Sequence, residues 1–165
     1  MICEKILGKV SDAQFKGKDF DFVEFEWHET YSKLHRKNSR KGRDIALRLD
    51  DSVLKRGIKP GDVLGIDSDG TVIVADVGEC EILSVKTAGR DFLATAKIAY
   101  EIGNCHAPLF AGKSDCELIT LYTEPMERLL KSLCGFSISI ERRTEKLDFS
   151  RQISSIVGHS HHHAG

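Results

Sequence analysis

The chain has only three prolines in 165 residues, no CxxC pair, and no apolar run near the roughly 18 residues that a membrane span needs. With 41% hydrophobic residues, so little proline excludes a disordered or low-complexity chain and gives ordinary globular composition. Neither sign of charge dominates. Lysine and arginine total 24 and aspartate and glutamate 25, for a net charge of −1. That balance excludes wholesale electrostatic capture by nucleic acid or an anionic membrane. The five cysteines (Cys3, Cys80, Cys105, Cys116, Cys134) are odd in number and scattered, which argues against a disulfide framework and against a finger-type zinc site. The opening residues meet a charge every few positions and cannot form the apolar core of a signal peptide. A cytoplasmic protein with reduced thiols is the expectation. Neither GxSxG nor GxxxxGK occurs, so no nucleophile or phosphate loop is advertised and no enzyme is expected.

Hydrophobic patterning divides the chain in three. Residues 1–76 read as short strands and tight turns. Phe20, Phe22 and Val23–Trp27 alternate apolar with acidic, and Leu34–Lys37 and Ile45–Leu49 flank a polar, glycine-containing loop. Further strands are expected at Val63–Ile66 and Thr71–Ala75, with one helical turn within Asp50–Arg56. The spacing predicts a small β-barrel or sandwich. Residues 77–148 alternate strands with two helices. A strand over Cys80–Val85 precedes a helix whose apolar stripe is Phe92, Leu93, Ala96, Ala99, Tyr100 and Gly103, ended by Gly103-Asn104. Strands over Ala107–Ala111 and Glu117–Tyr122 follow. Thr123 then caps a helix buried through Met126, Leu129, Leu130 and Leu133 and stopped by Gly135, before a last strand at Phe136–Ile140. This βαββαβ order is the split βαβ, or ferredoxin-like, motif, so the fold class is α+β. Beyond about Glu141 the polar, charged sequence predicts little order, and residues 149–165 are expected to be a flexible tail.

Candidate functional residues are few. Lys33, Arg36, Lys37, Arg40, Lys41 and Arg43 put six positive charges in eleven residues, but Asp19, Asp21, Glu24, Glu26 and Glu29 lie just upstream. Cross-strand pairing of the two sets accounts for both. His28 and His35 are expected at strand ends as surface or hydrogen-bonded histidines. Cys3, Cys80, Cys116 and Cys134 read as small core residues. Cys105 beside His106 is an awkward joint ligand, because neighbouring side chains diverge on an extended chain. His106 directly follows a helix end, where partial negative charge favours a cation. His159, His161, His162 and His163 crowd the last seven residues, and imidazole suits nickel, copper and zinc. A histidine run is also the mark of an affinity tag, although Ser160 interrupts this one.

The segment Tyr100-Glu101-Ile102-Gly103-Asn104-Cys105-His106-Ala107-Pro108-Leu109 resembles the Glu-Ile-Gly-Asn-x-His stretch of the UreE family, the urease accessory nickel metallochaperones. Phe25-Glu26-Trp27, Ile45–Leu49, Arg56–Leu64, Glu124-Pro125-Met126 and the histidine-containing end are similar too, so the likeness covers nearly the whole chain. It implies a β-rich, partner-docking N-terminal domain and a ferredoxin-like domain that forms a homodimer. His106 would meet its symmetry mate there, and the tail histidines would complete the coordination of nickel, Ni(II), as cargo. Zinc or copper could enter the same site in vitro. The resemblance further implies delivery toward apo-urease with the urease accessory GTPase. Two departures stand out: Cys105 replaces the family's usual arginine, and Leu118–Tyr122 lacks a further histidine pair. A metal-storage protein without delivery, an RNA-binding ferredoxin-like protein and a small hydrolase are the rival readings.

Overall fold

The computed structural model describes residues 1–89, 91–133 and 137–154. The chain forms two compact units, Met1–Gly78 and one that begins at Glu79.

In the first unit, β1 (Ile2–Cys3), β5 (Asp44–Arg48) and β4 (Leu34–Asn38) make a three-stranded sheet. A second sheet runs β2 (Gly8–Lys9), β6 (Asp62–Ile66), β7 (Val72–Val77), β3 (Phe20–Phe25). One core joins them. Cys3, Ile45 and Leu47 from the first sheet cluster with Val23, Phe25, Leu64, Ile73 and Ala75 from the second. Each large apolar side chain among them, when fully buried, contributes about 1.5–3 kcal/mol. The far face of the second sheet has its own cluster of Phe15, Val63, Val72 and Val74, with Phe20 and Phe22 packed against it. This is why β7 is buried along nearly its whole length. The single turn α1 (Val53–Arg56) lies where expected.

The charge clusters pair, but not across one ladder. β3 and β4 belong to different sheets, so the acids reach the basic hairpin through its turn and flanks. Lys37 meets Glu29, Arg40 meets Glu24 and Asp76, and Arg43 gathers Asp21, Asp67 and Asp69. Asp21 is the inward-facing member, with a fully buried side chain. Burial works against its charge, yet bonds from Ser39, Arg43 and the backbone at Lys41 and Phe22 outweigh that and hold its pKa below the usual carboxylate range.

The second unit comprises β8 (Cys80–Thr87), α2 (Phe92–Asn104), β9 (Leu109–Ala111), β10 (Glu117–Leu121), α3 (Glu124–Lys131) and β11 (Ile138–Glu145). Its sheet runs β11-β8-β10-β9 with every pair antiparallel, the order of the split βαβ motif. Asp91 and Thr123 cap the two helices through their side chains, accepting from the N–H groups of Ala94 and Met126. The expected stop at Gly135 lies outside the described residues; α3 itself ends at Lys131.

Two expectations fail here. Order does not fade after Glu141: β11 continues to Glu145 in register with β8, and Phe149–Arg151 form a 3-10 turn. Backbone pairing to an eight-residue partner strand does not depend on polarity, and the charged side chains find partners. Arg142 bonds Glu81 and stacks 3.6 Å over the Tyr122 ring, while Arg143 bonds Glu117. The second failure is the face of α2, since of the expected stripe only Ala99 packs against the core. Ala94, Ile98 and Ile102 face the core with Leu83, Val85, Leu118 and Leu130. Phe92, Leu93, Ala96, Tyr100 and Gly103 point outward, and Phe92, Leu93 and Tyr100 are 80%, 70% and 64% exposed. At about 100° per residue the two sets lie on nearly opposite sides of the helix.

Candidate metal centre

The end of α2 is built differently from the sequence expectation. Gly103 and Asn104 stay helical, and the left-handed residue is His106, at φ 54°. The His106 N–H donates to Gly103 O at 2.9 Å and the Ala107 N–H to Ile102 O at 3.3 Å. These are the two bonds of a Schellman motif, with His106 in the position usually given to glycine. Ile102 and Ala107 both pack into the core below, the hydrophobic contact that accompanies such a cap. A histidine there bears a Cβ in a crowded conformation, a cost that only the surrounding structure sustains.

The motif turns the chain out of the helix and leaves Gly103, Asn104, Cys105 and His106 exposed. Pro108 and Leu109 are buried immediately after and hold the turn from the other side. No basic residue lies in the last turn of α2, so the negative end of its dipole is not offset by one of its own side chains. A cation carried by an imidazole at this point is electrostatically favoured. Cys105 presents an exposed thiol next to it. Among the described residues, no three His, Cys, Asp or Glu side chains of one chain converge on a common point. Of the described residues at this helix end, His106 offers one imidazole, and a metal held there would need donors from elsewhere. His159, His161, His162 and His163 lie outside the described residues.

The other histidines are placed for structural work. His35, in β4 rather than at a strand end, bonds Ser32 O through Nε2 at 2.9 Å, and its ring meets Phe25 edge-on at 5.2 Å. His28 sits in the 3-10 helix Trp27–Tyr31, 3.4 Å from Glu26. Of the cysteines expected in the core, Cys3 is fully buried, Cys80 and Cys116 are half-buried, and Cys134 is outside the described residues. Burial pushes the Cys80 thiol up to about 11, which makes it a poor ligand near neutrality.

Sequence reasoning missed Glu117. It is buried on β10, and its carboxylate accepts from Ser84 Oγ at 2.6 Å, from Ser114 N–H and Oγ, and from Arg143. Burial opposes its charge, but these bonds prevail and hold the pKa at about 2. The loop it ties down, residues 112–116, sits beside β9. Glycine is required at Gly112 because a Cβ there would run into the Glu117 side chain.

Residues 3–77 match the family model described as UreE urease accessory protein, N-terminal domain. The urease accessory protein UreE of Helicobacter pylori strain P12 is 33% identical over 162 residues, which are 97% of this chain and 90% of that protein. The chain belongs to the UreE family. Family relatives from Helicobacter acinonychis and Helicobacter hepaticus are 32% and 31% identical, covering 97% and 93% of the chain. Together these matches span both units and the His106 segment. A urease accessory protein serves another enzyme. Among the described residues, no helix is long and apolar enough to cross a membrane.

Proposed function

We propose that the chain is a nickel metallochaperone that holds Ni(II) between the His106 side chains of a homodimer and passes it on for assembly of the urease active site. The outward stripe of α2 carries this reading. Phe92, Leu93, Ala96, Tyr100 and Gly103 leave an apolar helix face exposed, and that face ends at His106. A Cβ added at Gly103 would meet nothing within 4 Å, so a second helix has room to approach closely there. Covering the stripe with the same stripe of a second copy buries both, and a two-fold axis near the helix end turns one donor into two. The terminal histidines, His159 and His161–His163, supply the remaining donors.

Imidazole from an exposed interface and a terminal segment suits a carrier: it binds a borderline ion and still lets it go. Such a set also accepts copper and zinc, so the choice of nickel rests on supply and partners. Transfer would run in the cytoplasm through a complex with the urease accessory GTPase and apo-urease, with the first unit as the docking domain. RNA binding has little to support it, since β8 and β10 contain no aromatic residue on which a base could stack.

Nickel titration of His106→Ala beside the parent, with sedimentation and circular dichroism, tests the proposal. The expected result is a folded dimer without the tight shared site. A folded dimer that binds one nickel at parental affinity would move the site away from His106.

A further inference from the structure

The chain leaves the His106 turn through one peptide group that is held at both of its polar atoms. The Pro108 carbonyl accepts from Thr120 Oγ1 at 2.8 Å, and the Leu109 N–H donates to Ser154 Oγ at 2.8 Å. Thr120 lies on β10 opposite Leu109 and is fully buried, and Pro108 is buried as well. Alternation along β10 puts Thr120 on the same face as Leu118, and its partner on β8 is Leu83; both leucines belong to the core under α2. Valine would fill that place with nearly the same shape and no polar atom. A hydroxyl in an apolar core costs free energy unless it is bonded, so its presence there is explained by the bond to Pro108. On the other side of the turn, the Schellman bonds tie the His106 and Ala107 N–H groups to the last turn of α2. His106 therefore stands between two fixed points. Its left-handed backbone, at φ 54°, is one that a residue with a Cβ leaves when its surroundings let it.

We propose that Thr120 is a positioning residue for the metal site: its hydroxyl, acting through Pro108, keeps the His106 turn in the backbone state from which the imidazole meets the metal. The inference rests on the reading of His106 as a nickel ligand. A metal that binds one state of a turn binds more weakly in proportion to the time the turn spends in others. Releasing one hydrogen bond of ordinary net strength shifts such a balance by about three- to tenfold. That is the loss of nickel affinity expected when the Thr120 hydroxyl is removed and its shape is kept.

The test compares Thr120→Val, Thr120→Ala and Thr120→Ser in the full-length chain. Competitive nickel titration is read beside amide hydrogen exchange at His106 and Ala107 in the metal-free protein, with circular dichroism as the fold control. The expected effects follow the hydroxyl. Valine and alanine weaken nickel binding about three- to tenfold and speed exchange at the two amides by a similar factor, while serine stays at parental values. A merely structural role follows volume instead, with valine near parental and serine and alanine impaired together, and that order would overturn the proposal. Parental nickel affinity in Thr120→Val would overturn it too, whatever the exchange rates. His106→Ala, titrated alongside, separates the two readings. If it loses the tight site while Thr120→Val keeps it, the positioning role alone falls; if it keeps parental affinity, the metal reading fails and takes this proposal with it.

Discussion

Replacing His106 by glycine should leave the second unit more stable than replacing it by alanine, and either change should remove the proposed metal site. The left-handed backbone at φ 54° costs an L-residue with a Cβ roughly 1–2 kcal/mol. Glycine removes that cost but loses more freedom on folding, by roughly 0.5–1 kcal/mol. The balance favours His106→Gly over His106→Ala by about 1 kcal/mol, because alanine keeps the Cβ and its crowding. In a unit of this size that corresponds to a Tm difference of about 4–8 °C. The comparison is made by thermal unfolding without metal, with chelator present and at one fixed protomer concentration, since the proposed dimerisation would make Tm concentration-dependent. Both variants should lose the tight nickel site equally. A glycine variant no more stable than the alanine variant would refute the left-handed cap. A glycine variant that kept tight nickel binding would remove the imidazole from the site.

Glu117 should make the protein acid-sensitive. Its folded pKa of about 2 lies below the ordinary 4.5, so its contribution is complete above about pH 4.5 and is lost as the pH falls toward 2. Glu117→Gln should cost about 2 kcal/mol at neutral pH and flatten the pH dependence in that window, read by urea denaturation at stepped pH. Gly112→Ala should destabilise the same unit by about 1–3 kcal/mol through overpacking against Glu117, measured in the same way. Ala96→Arg, on the exposed face of α2, should leave the circular dichroism spectrum unchanged and convert the dimer to monomer in sedimentation velocity; a variant that still dimerised would place the interface elsewhere.

Much of this was legible before any coordinates. Alternation marked β3 and the β4–β5 hairpin, Thr123 announced the start of α3, and the βαββαβ order followed from the alternation of periods two and 3.6. The short segment around His106 pointed to the family. What stayed hidden was decided by neighbours distant in sequence. Periodicity finds an apolar stripe on α2, but both sides of that helix are apolar, and only packing against the sheet decided that Ala94, Ile98 and Ile102 turn inward. The same choice left Phe92, Leu93 and Tyr100 outside and made them candidate interface. The buried pairings of Asp21 and Glu117 stayed hidden because their partners, Arg43 and Arg143, are 22 and 26 residues away. Glycine and asparagine drew the helix cap to positions 103–104, whereas the chain's need to enter β9 placed the left-handed turn on His106. The charged end of β11 rests on backbone pairing with β8, a partner far away in sequence, which side-chain composition does not record.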